Sequence, residues 1–482
     1  MHSSSVKKKY QIFTPESTVR HMISLLRLHG DLYGRSFLEN SCGDGCFLIG
    51  IVKVYVESCL NNGHPWMEIV RALERDIVGY DLDGERIEEC RKNLDKILCK
   101  LDCPFTVKWN LRDEDFLRAQ DDRQYDYVIG NPPYLSYWDI PEYDREYVKN
   151  HFMTCTKGLW DYCFAFIEKS IAALNKTGKL CYVIPSSIFK TKAAQSLRNM
   201  LRATLSEVAE YSSGKVFDGV LTSVAVIVVS KNGCAKNIRY RDLRHKTDRE
   251  VIEVSRETLA PVGPWIFALN MCEQGARRFG DYFKVSLGVA TLCNAAFVLK
   301  GWSRRGKFVE SPIGCERIEY SAVRHAASPR GCKNQLCEYI IFPYRYDPAG
   351  RKFALIDEET FLRKYPKAYS HLQTHKAALL KRDADASASW YGYGRSQALG
   401  SISGEKLLLS QVLSGSAKVH MLQNEQLPYS GYYIQPLGSM SLQVARQVLS
   451  DARFASYAKE VGVAINGISY RLTVADILNY TW

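Results

Sequence analysis

The sequence predicts an α/β protein whose mostly parallel sheet is covered by helices on both faces, joined to a second domain of different character. Three observations carry that expectation: strand-like and helix-like segments alternate through the first half, the alternation stops near residue 235, and the positive charge lies in the second half. At 482 residues the chain exceeds one ordinary core, so two domains are expected. An apolar content of 46% with 24% charged residues excludes a disordered chain.

In order, "FTPESTVRHMISLL" opens a helix, with Thr14 as N-cap, Pro15 at the first helical position, and Val19, Met22, Ile23 and Leu26 as its buried stripe. "SFLENSCGDG" reads as a strand running into a glycine turn, and "CFLIGIVKVYVESCL" as the helix after it. "DIVGYDLD" is a second strand, followed by the helix "GERIEECRKNLDKIL" with Ile87, Leu94, Ile97 and Leu98 inward. "YDYVIGN" is a third buried strand, "DYCFAFIEKSIAALN" a helix, "KLCYVIPSS" a strand after the Thr177-Gly178 turn, and "SVAVIVVS" a fully apolar last strand. Such sheets bind ligands at the C-terminal ends of their strands. Beyond them aromatic, glycine and basic residues interleave, which divides the chain into domains of residues 1–240 and 241–482.

No run of about 18 apolar residues occurs, and "MHSSSVKKKY" lacks a signal peptide's apolar core. The expectation is a soluble cytoplasmic protein that does not engage a membrane. Fifteen cysteines, odd in number, scattered and without a C-x-x-C pair, read as reduced thiols rather than disulfides or a zinc site, and no metal is expected. Residues 1–235 carry 30 Lys+Arg against 30 Asp+Glu, and residues 236–482 carry 34 against 22, so the whole net charge of +12 is C-terminal. A neutral domain joined to a basic one suits a polyanion such as nucleic acid, although a basic surface serving solubility gives the same count.

Glu39 ends the first strand, and Gly43 and Gly45 flank Asp44, so a ligand can approach the backbone closely. No Gly-Lys-Ser/Thr follows and a third glycine is missing, so this loop is neither a P-loop nor a dinucleotide fingerprint; alone it is equally a plain turn. Asp81 ends the second strand, where an acid can accept both ribose hydroxyls of a nucleoside. Asp115, in "EDFL", can accept from an adenine amino group. Singly each is a strand-end carboxylate; at the tips of successive strands they describe an adenosine site. The strand "DYVIG" then runs straight into Asn131-Pro132-Pro133-Tyr134.

In this order, and with "GKVFDG" ahead of the last apolar strand, these residues resemble the adenine-specific DNA methyltransferases of restriction-modification systems, in the motif arrangement whose target-recognition domain is C-terminal. The resemblance covers the first 230 residues and continues loosely in "LGVATLCNAAFVL", "IIFPYRYD" and "WYGYGRSQAL". It implies a class I S-adenosylmethionine-dependent methyltransferase fold, Rossmann-like with a seven-stranded sheet, plus an α+β recognition domain. It implies methyl transfer from S-adenosylmethionine to the 6-amino group of adenine in a specific double-stranded DNA sequence, in the cytoplasm of a prokaryote. Thr14 would touch the cofactor's methionine end, Glu39, Asn40, Ser41, Cys42 and Gly43 would line its pocket, Asp81 would hold the ribose and Asp115 the adenine. Pro133 would pack near the cofactor and Phe166 against its adenine; Asn40 stands where the family usually has Pro.

The chemistry accounts for these residue types. Adenine's amino lone pair is delocalised into the ring, and two acceptors taking its protons localise it for attack. Asn131 supplies one acceptor in its side-chain oxygen and Pro132 the other in its carbonyl, while the prolines present no competing N–H. Tyr134 offers a face for a base flipped out of the duplex, and the resemblance makes Phe217 the second wall; without it Phe217 reads as a core phenylalanine. Stacking of roughly 1–3 kcal/mol per base offsets much of the extrusion cost.

In the second half Arg345 and Arg395 stand among aromatics, as groove-reading, phosphate-holding or plain surface arginines all do. Trp390 and Tyr391 read equally as core, and the His371/His375 pair as a solvated helix face rather than a metal pair. No nuclease constellation is visible, so a separate restriction endonuclease partner and a solitary enzyme both remain open. The rival readings are a methyltransferase for a protein glutamine, one for cytosine's 4-amino group, and a DNA-binding specificity subunit with an inactive methyltransferase fold.

Overall fold

The computed structural model describes residues 14–211, 223–233, 236–244, 251–267, 277–346, 353–395, 399–465 and 469–482. The chain forms two compact units, Met1–Leu269 with Val463–Ile468, and Asn270–Gly462 with Ser469–Trp482.

The first unit is built on a nine-stranded sheet. Its strands are β1 (Phe37–Glu39), β2 (Ile77–Asp81), β3 (Asn110–Asp113), β4 (Tyr125–Gly130), β5 (Leu174–Pro185), β6 (Leu205–Tyr211), β7 (Val224–Ser230), β8 (Asn237–Leu243) and β9 (Ile252–Ser255). They lie in the order β3-β2-β1-β4-β5-β7-β6-β8-β9. The first five pair in parallel, β7 runs antiparallel between β5 and β6, and β8 is parallel to β6.

The period-two alternation of the central strands fills a core on each face of the sheet. Leu38, Val128, Leu180, Tyr182 and Ile184 enter one core with the helix Cys163–Ala172. Phe37, Ile129, Cys181 and Val183 enter the other, with α1 (Glu16–Leu26) and α2 (Cys46–Asn61). The expected buried stripe of α1 is present, with Val19, Met22, Ile23 and Leu26 all buried.

Three expectations are corrected. The sheet has nine strands where the resemblance implies seven, because β8 and β9 extend it beyond β6. The helix α1 begins at Glu16 with Pro15 as its N-cap, and Thr14 makes no capping bond; the Pro15 carbonyl instead accepts from the Thr18 and Val19 N–H groups. The first unit also continues past residue 240, which lies inside β8, and its boundary falls after Leu269. The reason is that β8, "NIRYRDL", buries Ile238 and Tyr240 against the sheet while Arg239 and Arg241 occupy the alternate positions, so it does not read as an apolar strand.

The second unit is α+β, as expected. A four-stranded antiparallel sheet joins Phe283–Leu287, Tyr432–Pro436, Lys406–Leu409 and Val419–Leu422, and a mixed four-stranded sheet joins Val298–Lys300, Glu338–Ile341, Val323–Ala327 and Leu427–Pro428, the last strand pairing in parallel. Its core is aromatic, with Phe297, Phe342, Tyr344, Tyr391 and Tyr393 buried together.

Candidate active site

The first site element is the turn between β1 and α2. Gly45 sits at φ 89° in the left-handed region, and a Cβ there would lie 2.6 Å from the Cys90 Sγ, so only glycine turns the chain here. Asp81, at the end of β2, accepts from the Gly43 N–H at 2.9 Å and from the Asp83 N–H at 2.9 Å. The Cys42 N–H donates to the Tyr80 carbonyl at 2.8 Å, so the turn is pinned to the tip of β2. Each carboxylate oxygen of Asp81 keeps a second acceptor site, which is what binding a ribose diol requires.

Beneath the turn, Glu39 is buried and accepts from the Leu48 N–H at 3.2 Å. Burial pushes its carboxyl well above the usual carboxylate range. The neighbouring Asn40, also buried, donates to Ser170 Oγ at 2.7 Å and to the Tyr182 hydroxyl, while its Oδ1 has no donor among the described residues. A buried carboxyl without a cation beside an acceptor without a donor is suited to a ligand bearing positive charge and N–H groups.

The second element is the mouth of β4. The Asn131 carbonyl accepts from Ser41 Oγ at 3.2 Å, and its side-chain amide donates to Thr14 Oγ1 at 3.3 Å. Thr14 therefore serves the site rather than the helix start. The Tyr134 hydroxyl donates to the Asn131 Oδ1, and its ring touches both cores. Burial raises the Tyr134 phenol well above its ordinary value, which keeps it a neutral donor. Pro132 is buried, and no donor among the described residues reaches its carbonyl.

Thr14, Ser41, Asn131 and Tyr134 are thus linked by direct contacts, as are Gly43 and Asp81, while Glu39, Asn40, Pro132 and Pro133 adjoin them along the chain. Asp115 and Phe166 lie outside this set and are related to each other through Phe116, the neighbour of Asp115 in the chain. Asp115 accepts from the Leu117 N–H at 2.9 Å and from Arg118 Nε at 3.1 Å. Phe166, buried in the helix Cys163–Ala172, has its ring 6.0 Å from Phe116 and 5.6 Å from Tyr162. Phe217 and its "GKVFDG" context lie outside the described residues.

Sequence reasoning missed Asp161. It accepts from the Cys163 N–H at 3.0 Å, while the adjacent Tyr162 N–H donates to the Leu135 carbonyl at 3.0 Å, which ties the segment after Tyr134 to the helix start. Burial lifts its carboxyl to about 6. An Asp two residues ahead of an apolar helix looks in sequence like a cap, so nothing marked it. Ser170 and Tyr182, which hold Asn40, are helix and strand interior residues with no sequence signal of a role.

In the second unit Arg345 is exposed on the strand Tyr344–Tyr346, and Arg395 is exposed beside Ala290, with which it forms a backbone bridge. Tyr391 is core, its hydroxyl on the Ile356 carbonyl at 2.8 Å. The reading of His371/His375 as a solvated face is corrected: His371 packs edge-on to Trp302 at 6.2 Å, 3.8 Å from Glu316, with its Nε2 buried. The apolar face of Trp302 explains the packing. Among the described residues no group of three potential metal ligands occurs, and no helix is long and apolar enough to cross a membrane.

Five parallel strands continued by the antiparallel β7 and by β6, with an acid at the tip of β2 and a glycine turn after β1, define the fold of class I S-adenosylmethionine-dependent methyltransferases, here extended beyond β6 by β8 and β9. Residues 68–217 match the family described as Eco57I restriction-modification methylase. The chain is 28% identical over 286 residues to the type II methyltransferase M.HincII of Haemophilus influenzae, covering 57% of this chain and 49% of that protein. It is 23% identical over 348 residues to the type II restriction enzyme and methyltransferase RM.Eco57I of Escherichia coli, covering 64% of this chain and 34% of that one. The chain thus spans half or less of the length of these curated relatives. The fold is shared with the type IIL restriction-modification enzyme MmeI, solved in complex with DNA, at a TM-score of 0.61 and 12% identity over 96% of this chain and 64% of that one. The resemblance read from the motifs, to DNA methyltransferases of restriction-modification systems, is met by relatives of that description.

Proposed function

We propose that this chain binds S-adenosylmethionine and transfers its methyl group to the exocyclic 6-amino group of adenine, flipped out of a specific double-stranded DNA sequence. The observation that carries the proposal is the presentation of the Asn131 side chain and the Pro132 carbonyl at the mouth of β4, in contact through Ser41 and Thr14 with a turn fitted to a cationic nucleoside. When bound there, the cofactor supplies an electrophilic methyl group. Glu39 would meet its positive charge, Asp81 its ribose, Asp115 and Phe166 its adenine, and Pro133 would pack against it.

The protein's part in the reaction is polarisation and placement. Asn131 Oδ1 and the Pro132 carbonyl accept the two amino protons, so nitrogen's lone pair is localised and aimed. The Tyr134 hydroxyl, as a donor to Asn131 Oδ1, fixes the amide so that its oxygen faces the base. That oxygen has a second lone pair free for the substrate. The ring of Tyr134 then provides a stacking face, with Phe217 as the second wall by resemblance.

Double-stranded DNA as partner is supported by charge: residues 270–482 carry 27 Lys+Arg against 17 Asp+Glu, so +10 of the net +12 resides there. The matched relatives include a bare methyltransferase and a fused restriction enzyme, so a separate endonuclease partner belongs to this proposal only as one arrangement. The test is to express the protein in a host lacking adenine methylation and to map modified bases by single-molecule sequencing. One motif bearing 6-methyladenine supports the proposal. A motif bearing 4-methylcytosine, or an unmodified genome with intact S-adenosylmethionine binding, refutes it.

A further inference from the structure

The second unit contains a cleft of about 440 Å³ whose chemistry differs from its surroundings. Its walls are the segment Leu287–Asn294, Gln411, and Tyr429–Gly431. None of the residues lining it carries a charge, although the unit as a whole has a net +10. What lines it is amide, hydroxyl and small apolar groups. Gln411 is half-buried, and its side-chain amide has no partner among the described residues; Asn294 is exposed and receives the Thr291 hydroxyl on its Oδ1 at 2.6 Å, leaving its NH2 group unengaged there.

Arginines stand on both flanks. Arg395 is exposed and bridges Ala290 in the cleft wall, with its N–H on the Ala290 carbonyl at 3.1 Å. Arg471 is exposed and pairs with Val412, next to Gln411. Neither is in a salt bridge among the described residues, so both guanidinium groups are open to an anion.

The wall is also held rigid. Arg382 donates to the carbonyls of Thr291 at 2.6 Å, Gly392 at 3.1 Å, Trp390 at 2.8 Å and Leu379 at 2.9 Å. Gly288 passes so close to Pro428 that a Cβ would lie 2.2 Å from its carbonyl oxygen, and Leu292 is kept at φ 54°, in the left-handed region, with its side chain exposed. A non-glycine residue held there is strained and persists only where its surroundings over-determine it.

We infer that this cleft reads base edges in the DNA groove, with Gln411 as the sequence-determining side chain, Asn294 as a second reader, and Arg395 and Arg471 on phosphates either side. The inference rests on the reading of the chain as a DNA methyltransferase. Phosphates reward charge and carry no sequence, whereas base edges reward uncharged donor and acceptor pairs in fixed positions. A free glutamine amide matches the N6 and N7 edge of adenine in the major groove, and discrimination by such a pair is about 5- to 150-fold. The exposed Leu292 supplies an apolar contact suited to a thymine methyl group.

The test uses the full chain and a panel of duplexes carrying the methylated motif and each of its single-base changes. Methylation rate per site and affinity at several salt concentrations are measured for wild type, Gln411→Ala, Asn294→Ala, Arg395→Ala and Arg471→Ala, with melting temperatures as a folding control. Gln411→Ala is expected to lose preference at one position by roughly tenfold with an unchanged salt slope. The arginine variants are expected to weaken every duplex alike and to reduce the slope by about one. If both amide variants keep wild-type preference at every position, the cleft assignment is overturned while the methyltransferase reading stands. If the wild type itself methylates no duplex, both fall.

Discussion

Replacing Asn131 by Ala separates catalysis from binding. In the folded protein the substitution removes the amide's bond to Thr14 Oγ1 at 3.3 Å and deprives the Tyr134 hydroxyl of its acceptor. Two hydrogen bonds at about 0.5–1.5 kcal/mol each put the loss of stability at roughly 1–3 kcal/mol, and the backbone bond from Ser41 Oγ to the Asn131 carbonyl is kept. On the proposed mechanism the loss in the transition state is larger, because the acceptor assigned to polarise the amino group is gone. Deleting one preorganised polar group of this kind costs about 10²–10³ in rate. Asn131 makes no phosphate contact in the mechanism, so DNA affinity should stay within a few-fold. The assay is single-turnover methyl transfer with labelled cofactor on a saturating cognate duplex, with affinity measured in parallel by fluorescence anisotropy. A variant within tenfold of the wild-type rate would refute polarisation by Asn131. Equal losses of rate and DNA affinity would make the residue a binding group instead.

Asp81→Ala leaves the Gly43 and Asp83 N–H groups without their acceptor and removes the ribose ligand, so S-adenosylmethionine affinity should fall at least about tenfold by titration calorimetry; affinity within twofold of wild type contradicts the site. Asp161→Asn tests the buried carboxyl at the start of the helix Cys163–Ala172. Its folded value of about 6 lies above the ordinary carboxylate value, so the neutral form favours folding, and that contribution is lost as pH rises from about 4 through 6. The melting temperature of Asp161→Asn relative to wild type should therefore climb over that interval and level off above it; a pH-independent difference sinks the assignment. Finally, the affinity of the full chain for duplex DNA should fall steeply with salt, with a log–log slope of about −0.9 for each phosphate neutralised, and a flat dependence would contradict the role given to the basic second unit.

The first unit was legible because its signals are local. An apolar strand ending in Asn-Pro-Pro-Tyr, an acid ending β2 and a glycine turn after β1 each follow from covalent preferences and short-range periodicity, and the structure joins Ser41 to Asn131 and Gly43 to Asp81 at the strand tips. What the sequence alone could not decide depends on partners distant along the chain. Thr14 looks like a cap until Asn131, more than a hundred residues away, claims its hydroxyl. Asn40 is held by Ser170 of the helix Cys163–Ala172 and Tyr182 of β5, both more than a hundred residues away, and Asp161 is defined by burial rather than by its neighbours in sequence. The strand β8 escaped notice because the alternate positions of "NIRYRDL" carry arginines, and its pairing with β6 on one side and β9 on the other extends the unit beyond residue 240. In the second unit, composition established a basic and aromatic domain. Which amides stand unpaired inside an uncharged cleft, and which arginines flank it, was decided by tertiary structure, because the Leu287–Asn294 wall lies more than a hundred positions from Gln411 and only the folded unit brings them together.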